Sequence, residues 1–335
     1  MKATKMFLLV FLGSLIFSYC GKPNPAEVIN RCSGGYQIHK IMETPGYSQD
    51  LDIHNNFCYM TQGEGGLLIL DITDPGNPET VTILNDGVRG YSVKIIVRDT
   101  VAYIAAGSYG VTVVNVSNPL EPQVTVSNLS MKPAKNIFIH GDYLFTSISE
   151  QGVKFADISY ATQPDIRGGA NTYGYAQSVS ISSDGSLMFV ACGEMGLSIF
   201  DISDFQNGFG TYPLLAWKDT EGYAEFIEIN EEKSLAFLAC GTAGLQIIDY
   251  SDMDDLKLVG SFMGGGYAKE LVYRDNKVYM TAEERGLQVI DVTDISNPEL
   301  SGSVDSEYAL GIDIDGDFIY IADEEEGLII VSIPE

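Results

Sequence analysis

Beyond its first residues the chain alternates apolar and polar positions in runs of about five residues, each bounded by Gly, Asn, Asp or Pro. Alternation at period two sends successive side chains to opposite faces, so these runs predict short β-strands. Residues 267–304 show the pattern once in full. "YAKELVY" (Tyr267 to Tyr273) predicts a first strand, "RDN" turns it and "KVYMTA" runs back. "EER" with Gly286 makes the next turn, "LQVIDV" runs forward, and "TDISNP" leads to an outer strand, "ELSGSV". After the first 19 residues no segment of ten or more carries helical periodicity.

The same pattern returns along the whole chain. A Gly followed by alternating apolar residues and an Asp-like terminus begins at Gly66, Gly110, Gly152, Gly196, Gly244, Gly286 and Gly327, at spacings of 44, 42, 44, 48, 42 and 41 residues. Two further columns hold the register. An aromatic precedes each glycine (Tyr59, Tyr103, Phe145, Phe189, Phe237, Tyr279, Tyr320), and a tyrosine lies upstream of it (Tyr47, Tyr91, Tyr175, Tyr223, Tyr267, Tyr308). The third copy alone breaks the tyrosine column, with Pro133 in its place. Four-strand units of about 40–45 residues repeated in this way mark β-propeller blades. The seventh unit stops after its third strand, and "GGYQIHKIMET" upstream of the first reads as the missing outer strand. The expectation is an all-β, seven-bladed propeller of four-stranded antiparallel blades, closed by an N-terminal outer strand. Such pairing removes exposed sheet edges.

The pieces "GLLILDITDPGNP" and "GLQVIDVTDISNP", with the intervening "GYA", resemble the LVIVD repeat, a propeller repeat of bacterial exported proteins. The resemblance covers roughly Tyr36 to Glu335. It implies the fold and export but no defined reaction. Copies four and five depart after the Asp, as "DISDFQNGFG" and "DYSDMDDLKL", which predicts altered outer turns there.

The N-terminus adds a location. Lys2 and Lys5 precede "MFLLVFLGSLIF", an apolar run of 12 residues that is too short to cross a bilayer and suits a signal-peptide core. Cys20 follows at once, in an arrangement that resembles a bacterial lipoprotein signal, with Phe17 and Tyr19 where Leu and a small residue are usual. The division expected is a signal peptide over 1–19, a tether over 20–34 beginning at a lipid-modified Cys20, and the propeller over 35–335. That places the protein in the cell envelope as an outer-membrane lipoprotein, touching the membrane through its anchor alone, as a monomer. The remaining cysteines, Cys32, Cys58, Cys192 and Cys240, allow three pairings, among which sequence does not choose.

A formal net charge of −27 excludes a nucleic-acid binder, which needs a basic footprint. It suits a basic or cationic partner. The repeated Asp71, Asp157, Asp201, Asp249 and Asp291, with Asn115 and Ser332 as variants, read as turn-capping scaffold. The loops before each repeated glycine differ from one another. They share a face with the tyrosine loops, so that face carries Glu64, Glu150, Glu194, Glu283, Glu284 and the run Asp323 to Glu326, Glu325 among them, beside Tyr47, Tyr91, Tyr175, Tyr223, Tyr267 and Tyr308. Carboxylates beside tyrosine suit a cationic ligand, a basic peptide or Ca²⁺. The alternative is that the tyrosines cap the channel and the acids are simply solvated. "DIDGD" (Asp313 to Asp317) imitates a calcium loop with Gly316 misplaced, and reads as a turn. His39, His54 and His140 form no cluster, and no catalytic constellation follows from spacing. The reading is a non-enzymatic binding propeller without a cofactor. A metal-dependent hydrolase or lactonase using channel carboxylates, and a structural envelope component, are the alternatives.

Overall fold

The computed structural model describes residues 31–207 and 212–334. The leader, Cys20 and most of the tether lie outside the described residues. The described strands form seven sheets of four antiparallel strands. Blades 1 to 6 each take four consecutive strands, beginning with Asp50–His54, Lys94–Arg98, Asn136–His140, Ser178–Ile181, Phe226–Asn230 and Glu270–Arg274. Blade 7 takes three, Ala309–Asp315, Phe318–Asp323 and Gly327–Ser332, and borrows Gln37–Met42 as its outer strand. The first strand of each blade packs against the first strand of the next, and that of blade 7 packs against that of blade 1, so the first strands ring a central channel.

Each strand is short because the repeat places a turn residue every five or six positions. The core is divided accordingly into seven apolar clusters, each built mainly from two neighbouring blades. The aromatic column supplies the large rings: all seven are at most 3% exposed. The small residues two positions further on, such as Ala105, Ser147 and Ala239, are fully buried near the axis.

The repeated acid is scaffold in every blade that carries it. Asp71, Asp157, Asp201, Asp249 and Asp291 each accept the backbone N–H two residues ahead at 2.8–2.9 Å, and Asn115 does the same at 2.9 Å. Among the described residues, blade 4 alone has a 3-10 turn, Phe205–Asn207, after this Asp. Blade 5 keeps the ordinary turn without its proline, since Asp252 caps the N–H of Asp254. "DIDGD" is a hairpin: Gly316, in the left-handed region at φ 55°, joins the first two strands of blade 7.

The first strands start about three residues later than alternation alone predicts. In blade 6 the strand begins at Glu270, and Ala268 is instead bridged to Gly241 of blade 5. Its N–H donates to the Gly241 carbonyl at 3.0 Å. Equivalent bridges join Gly63 to Ser92, Gly107 to Ala134, Ser149 to Ala176, Gly193 to Ala224 and Glu283 to Ala309. These two-residue staples fix the entry loops of blades 2 to 7 to the preceding blade's second loop, and put both on one face.

Candidate functional site at the channel mouth

The staples determine which residues look into the channel. At the bridging position blades 1, 2, 4 and 5 carry Gly63, Gly107, Gly193 and Gly241, all at positive φ. A Cβ built there would stand 2.7–2.8 Å from the ring of the next blade's tyrosine at Gly63, Gly193 and Gly241. The tyrosines thus lie flat on these glycines. Blade 3 instead has Ser149 and blade 6 has Glu283, both non-glycine residues held at positive φ (57° and 44°). Glu324 is their counterpart in blade 7.

Ser149, Glu283 and Glu324 line a cavity of about 720 Å³ at the channel mouth. Tyr175, Tyr223, Tyr267 and Tyr308 form much of its wall. Tyr47 and Tyr91 stay outside it and are exposed. Of the acids singled out by sequence, Glu283 and Glu324 reach the cavity. Glu64, Glu150, Glu194, Glu284 and Glu325 sit one residue beyond the bridging position and point to solvent. The face is shared as expected, but a one-residue step separates its inward from its outward side chains.

The residues two and three places after each tyrosine line the floor, and these sequence reasoning missed: Gln177, Glu225, Lys269 and Glu270, with Lys135 and Asn136 in blade 3. A signal was present. At this fixed register the seven copies differ freely, while the scaffold columns around them hold.

Hydrogen bonds link the wall from blade to blade. Gln177 Nε2 donates to Tyr223 Oη at 2.9 Å, and Tyr267 Oη donates to Glu225 at 2.8 Å. Lys269 pairs with Glu225 at 3.4 Å and stands 5.3 Å from the centre of the Tyr267 ring. Burial, with Glu283 accepting its hydroxyl, pushes the Tyr308 phenol up to about 12. Burial raises the Glu283 carboxyl above its usual range, against the pull of that same hydrogen bond.

Below the mouth, Lys94 from blade 2 pairs with Asp50 of blade 1 at 2.9 Å and with Glu270 of blade 6. Burial alone lowers the Lys94 pKa, but the two carboxylates outweigh it and hold the ammonium charged. Burial likewise pushes Glu270 upward, against the pull of Lys94. Deeper still, a second cavity of about 290 Å³ is lined by Asp52, Glu228 and Asp313. Burial raises all three carboxyls, Asp52 and Glu228 to about 7. Each also accepts a backbone N–H from the neighbouring first strand: Asp52 from Val97 at 3.1 Å, Asp313 from Ile53 at 2.8 Å and Glu228 from Tyr273 at 2.7 Å. These acids lace the innermost strands together. The point where two carboxylates converge is filled by an ammonium. Among the described residues no three His, Cys, Asp or Glu side chains are grouped to hold one ion.

Five stretches of the sequence match the family described as "LVIVD repeat", residues 45–86, 89–129, 173–206, 265–306 and 307–334, which is more than half of the chain. The chain belongs to the LVIVD-repeat family. The unmatched stretches of this LVIVD-repeat protein hold blades 3 and 5, which nonetheless fold as the others do. No curated protein matches it in sequence. Among solved structures, a computationally designed protein, Ika8, aligns with TM-score 0.64 at 10% identity, covering 89% of this chain and all of that one. A chain of a Mitotic Checkpoint Complex structure aligns with TM-score 0.71 at 12% identity, covering 99% of this chain and all of that one. At such identities both speak to the fold alone.

Proposed function

We propose that this LVIVD-repeat protein is a binding module whose channel mouth receives a partner carrying a cationic group, on a small ligand or a protein segment. The observation that carries this reading is the cavity itself: four tyrosines and the carboxylates of Glu283 and Glu324 around one concave mouth. Tyrosine offers flat area and a polar tip, and its ring face with an adjacent carboxylate attracts ammonium or guanidinium groups. Lys269 over Tyr267 is an internal instance of that contact. The channel acids below support binding over hydrolysis, because their oxygens are engaged by Lys94 and by backbone N–H groups.

The setting proposed is the cell envelope, with the propeller tethered through a lipid on Cys20, on the strength of the basic, apolar and cysteine order of the leader. Incorporation of a radiolabelled lipid precursor in cells, lost on Cys20→Ser, tests it; label retained by the variant would overturn the anchor. For the mouth, calorimetric titration with the amide of Lys-Gly-Gly should show binding that weakens when both amines are acetylated and again in the Glu283→Gln/Glu324→Gln protein. Equal heats for native and acetylated peptide would sink the reading.

A further inference from the structure

We infer that the mouth takes a zwitterionic ligand of short-peptide size, its carboxylate held at blade 3 by Lys135, Asn136 and Ser149 and its ammonium group across the mouth by Glu283 and Glu324. The inference rests on the binding role proposed above and adds the second pole.

The first observation is an unused cation. Lys94 is held by Asp50 and Glu270, and Lys269 by Glu225. Lys135, which also lines the cavity, makes no ion pair among the described residues. The second is an unused amide. Asn136 is only 7% exposed, lines both cavities, and its carboxamide hydrogen-bonds to nothing among the described residues. That carboxamide opens onto the cavity, so a ligand oxygen entering there can accept its N–H. The third is backbone strain. In the bridging column the two residues at positive φ that are not glycine are Ser149 and Glu283, and both line the cavity. Such conformations persist where a side chain is required at the position.

The arrangement around the ring gives the polarity. Blade 3 is where the tyrosine column is broken by Pro133, leaving Lys135 and Asn136 without an aromatic neighbour on their own loop. Half a turn around seven blades from blade 3 falls between blades 6 and 7, the blades that supply Glu283 and Glu324. A cation with two neutral donors therefore faces a pair of carboxylates across a tyrosine-walled cavity of about 720 Å³, within the range of small-ligand sites. A purely cationic ligand would leave Lys135 unpaired and repelled. A purely anionic one would meet Glu283 and Glu324.

Calorimetry on the purified full-length protein tests this with Lys-Gly-Gly bearing a free carboxylate, its C-terminal amide, and the doubly acetylated acid. The free acid should bind about 10-fold more tightly than the amide, the worth of one charge-assisted contact. Lys135→Met should abolish the difference in affinity between acid and amide, and Lys135→Arg should restore it. Circular dichroism melts would confirm that each variant folds. If acid and amide bind wild type equally, the carboxylate pole is wrong while cation binding stands. If the doubly acetylated acid binds as well as the native peptide, the cationic pole fails and the functional reading falls with it.

Discussion

The turn-capping aspartates and the buried channel acids differ electrostatically, and pH separates them. The five turn-capping aspartates are held below the usual carboxylate range by hydrogen bonds from the residue two places on. Their stabilisation is present above the unfolded pKa and is lost as pH falls through the lower folded value. Asp52 and Glu228, raised to about 7 by burial, behave oppositely. Their contribution is complete below the unfolded value near ~4 and is lost as pH rises towards the folded one. Stability should therefore be greatest near about pH 5 and decline towards pH 8. Glu228→Gln keeps an acceptor for Tyr273 N–H and removes one of these titrations. Its advantage over wild type at pH 8 should be on the order of 2 kcal/mol, shrinking towards pH 5, in urea denaturation run at both pH values. An advantage independent of pH would contradict this account. The turn aspartates were legible in the sequence because Asn115 occupies the same column and performs the same capping bond. The channel acids were not, because nothing in "DLDIH" or "FIEIN" distinguishes a side chain facing the axis from one facing solvent.

At the level of elements, the second loop of each blade and the tyrosine loop of the next act as one unit. Gly241 shows the constraint: φ is +52°, and an added Cβ would lie 2.8 Å from the Tyr267 ring. Gly241→Ala should lower the melting temperature and displace the tyrosine, which fluorescence quenching can follow. Ser149→Gly should do the reverse, raising stability by about 0.5–1 kcal/mol as the left-handed strain is relieved. It should also weaken binding of Lys-Gly-Gly acid, and a variant both less stable and equally competent would refute the assignment. The strands themselves were readable from alternation to within a few residues. The staples were not, because pairing between Ala268 and Gly241 crosses a blade boundary and leaves no periodic trace. That also explains why the outward Glu194 and Glu325 looked equivalent to the inward Glu283: adjacent positions in one loop face opposite ways.

For the molecule as a whole, blade count and closure followed from the repeat, since seven equal units with one strand missing at the end and one spare at the start leave a single simple assembly. The structure adds how the joint is locked. Tyr36, 3% exposed, packs edge-on against Tyr279 with its ring centre 6.4 Å away, and Gly302 leaves room for it. Arg31 forks onto Glu326 and donates to the Asp305 carbonyl at 2.8 Å. Tyr36→Ala should cost on the order of 3 kcal/mol by loss of buried ring area, measured as a lower urea midpoint. It should also promote dimers on size-exclusion chromatography as the loosened outer strand pairs between molecules. A monomer of unchanged midpoint would show that the joint is held elsewhere.

The joint has a further consequence in time. Strand pairing in blades 1 to 6 is local, whereas Arg31 and Glu326 are separated by 295 positions. Local pairings form early and distant ones late. During synthesis Gln37–Met42 is among the first strands made, and its partner Gly327–Ser332 is the last. Six blades can assemble while that early strand waits without a neighbour. Without Gly327–Ser332 the borrowed strand Gln37–Met42 has no partner and the sheet of blade 7 stays open, so the ring closes only once that strand is in place.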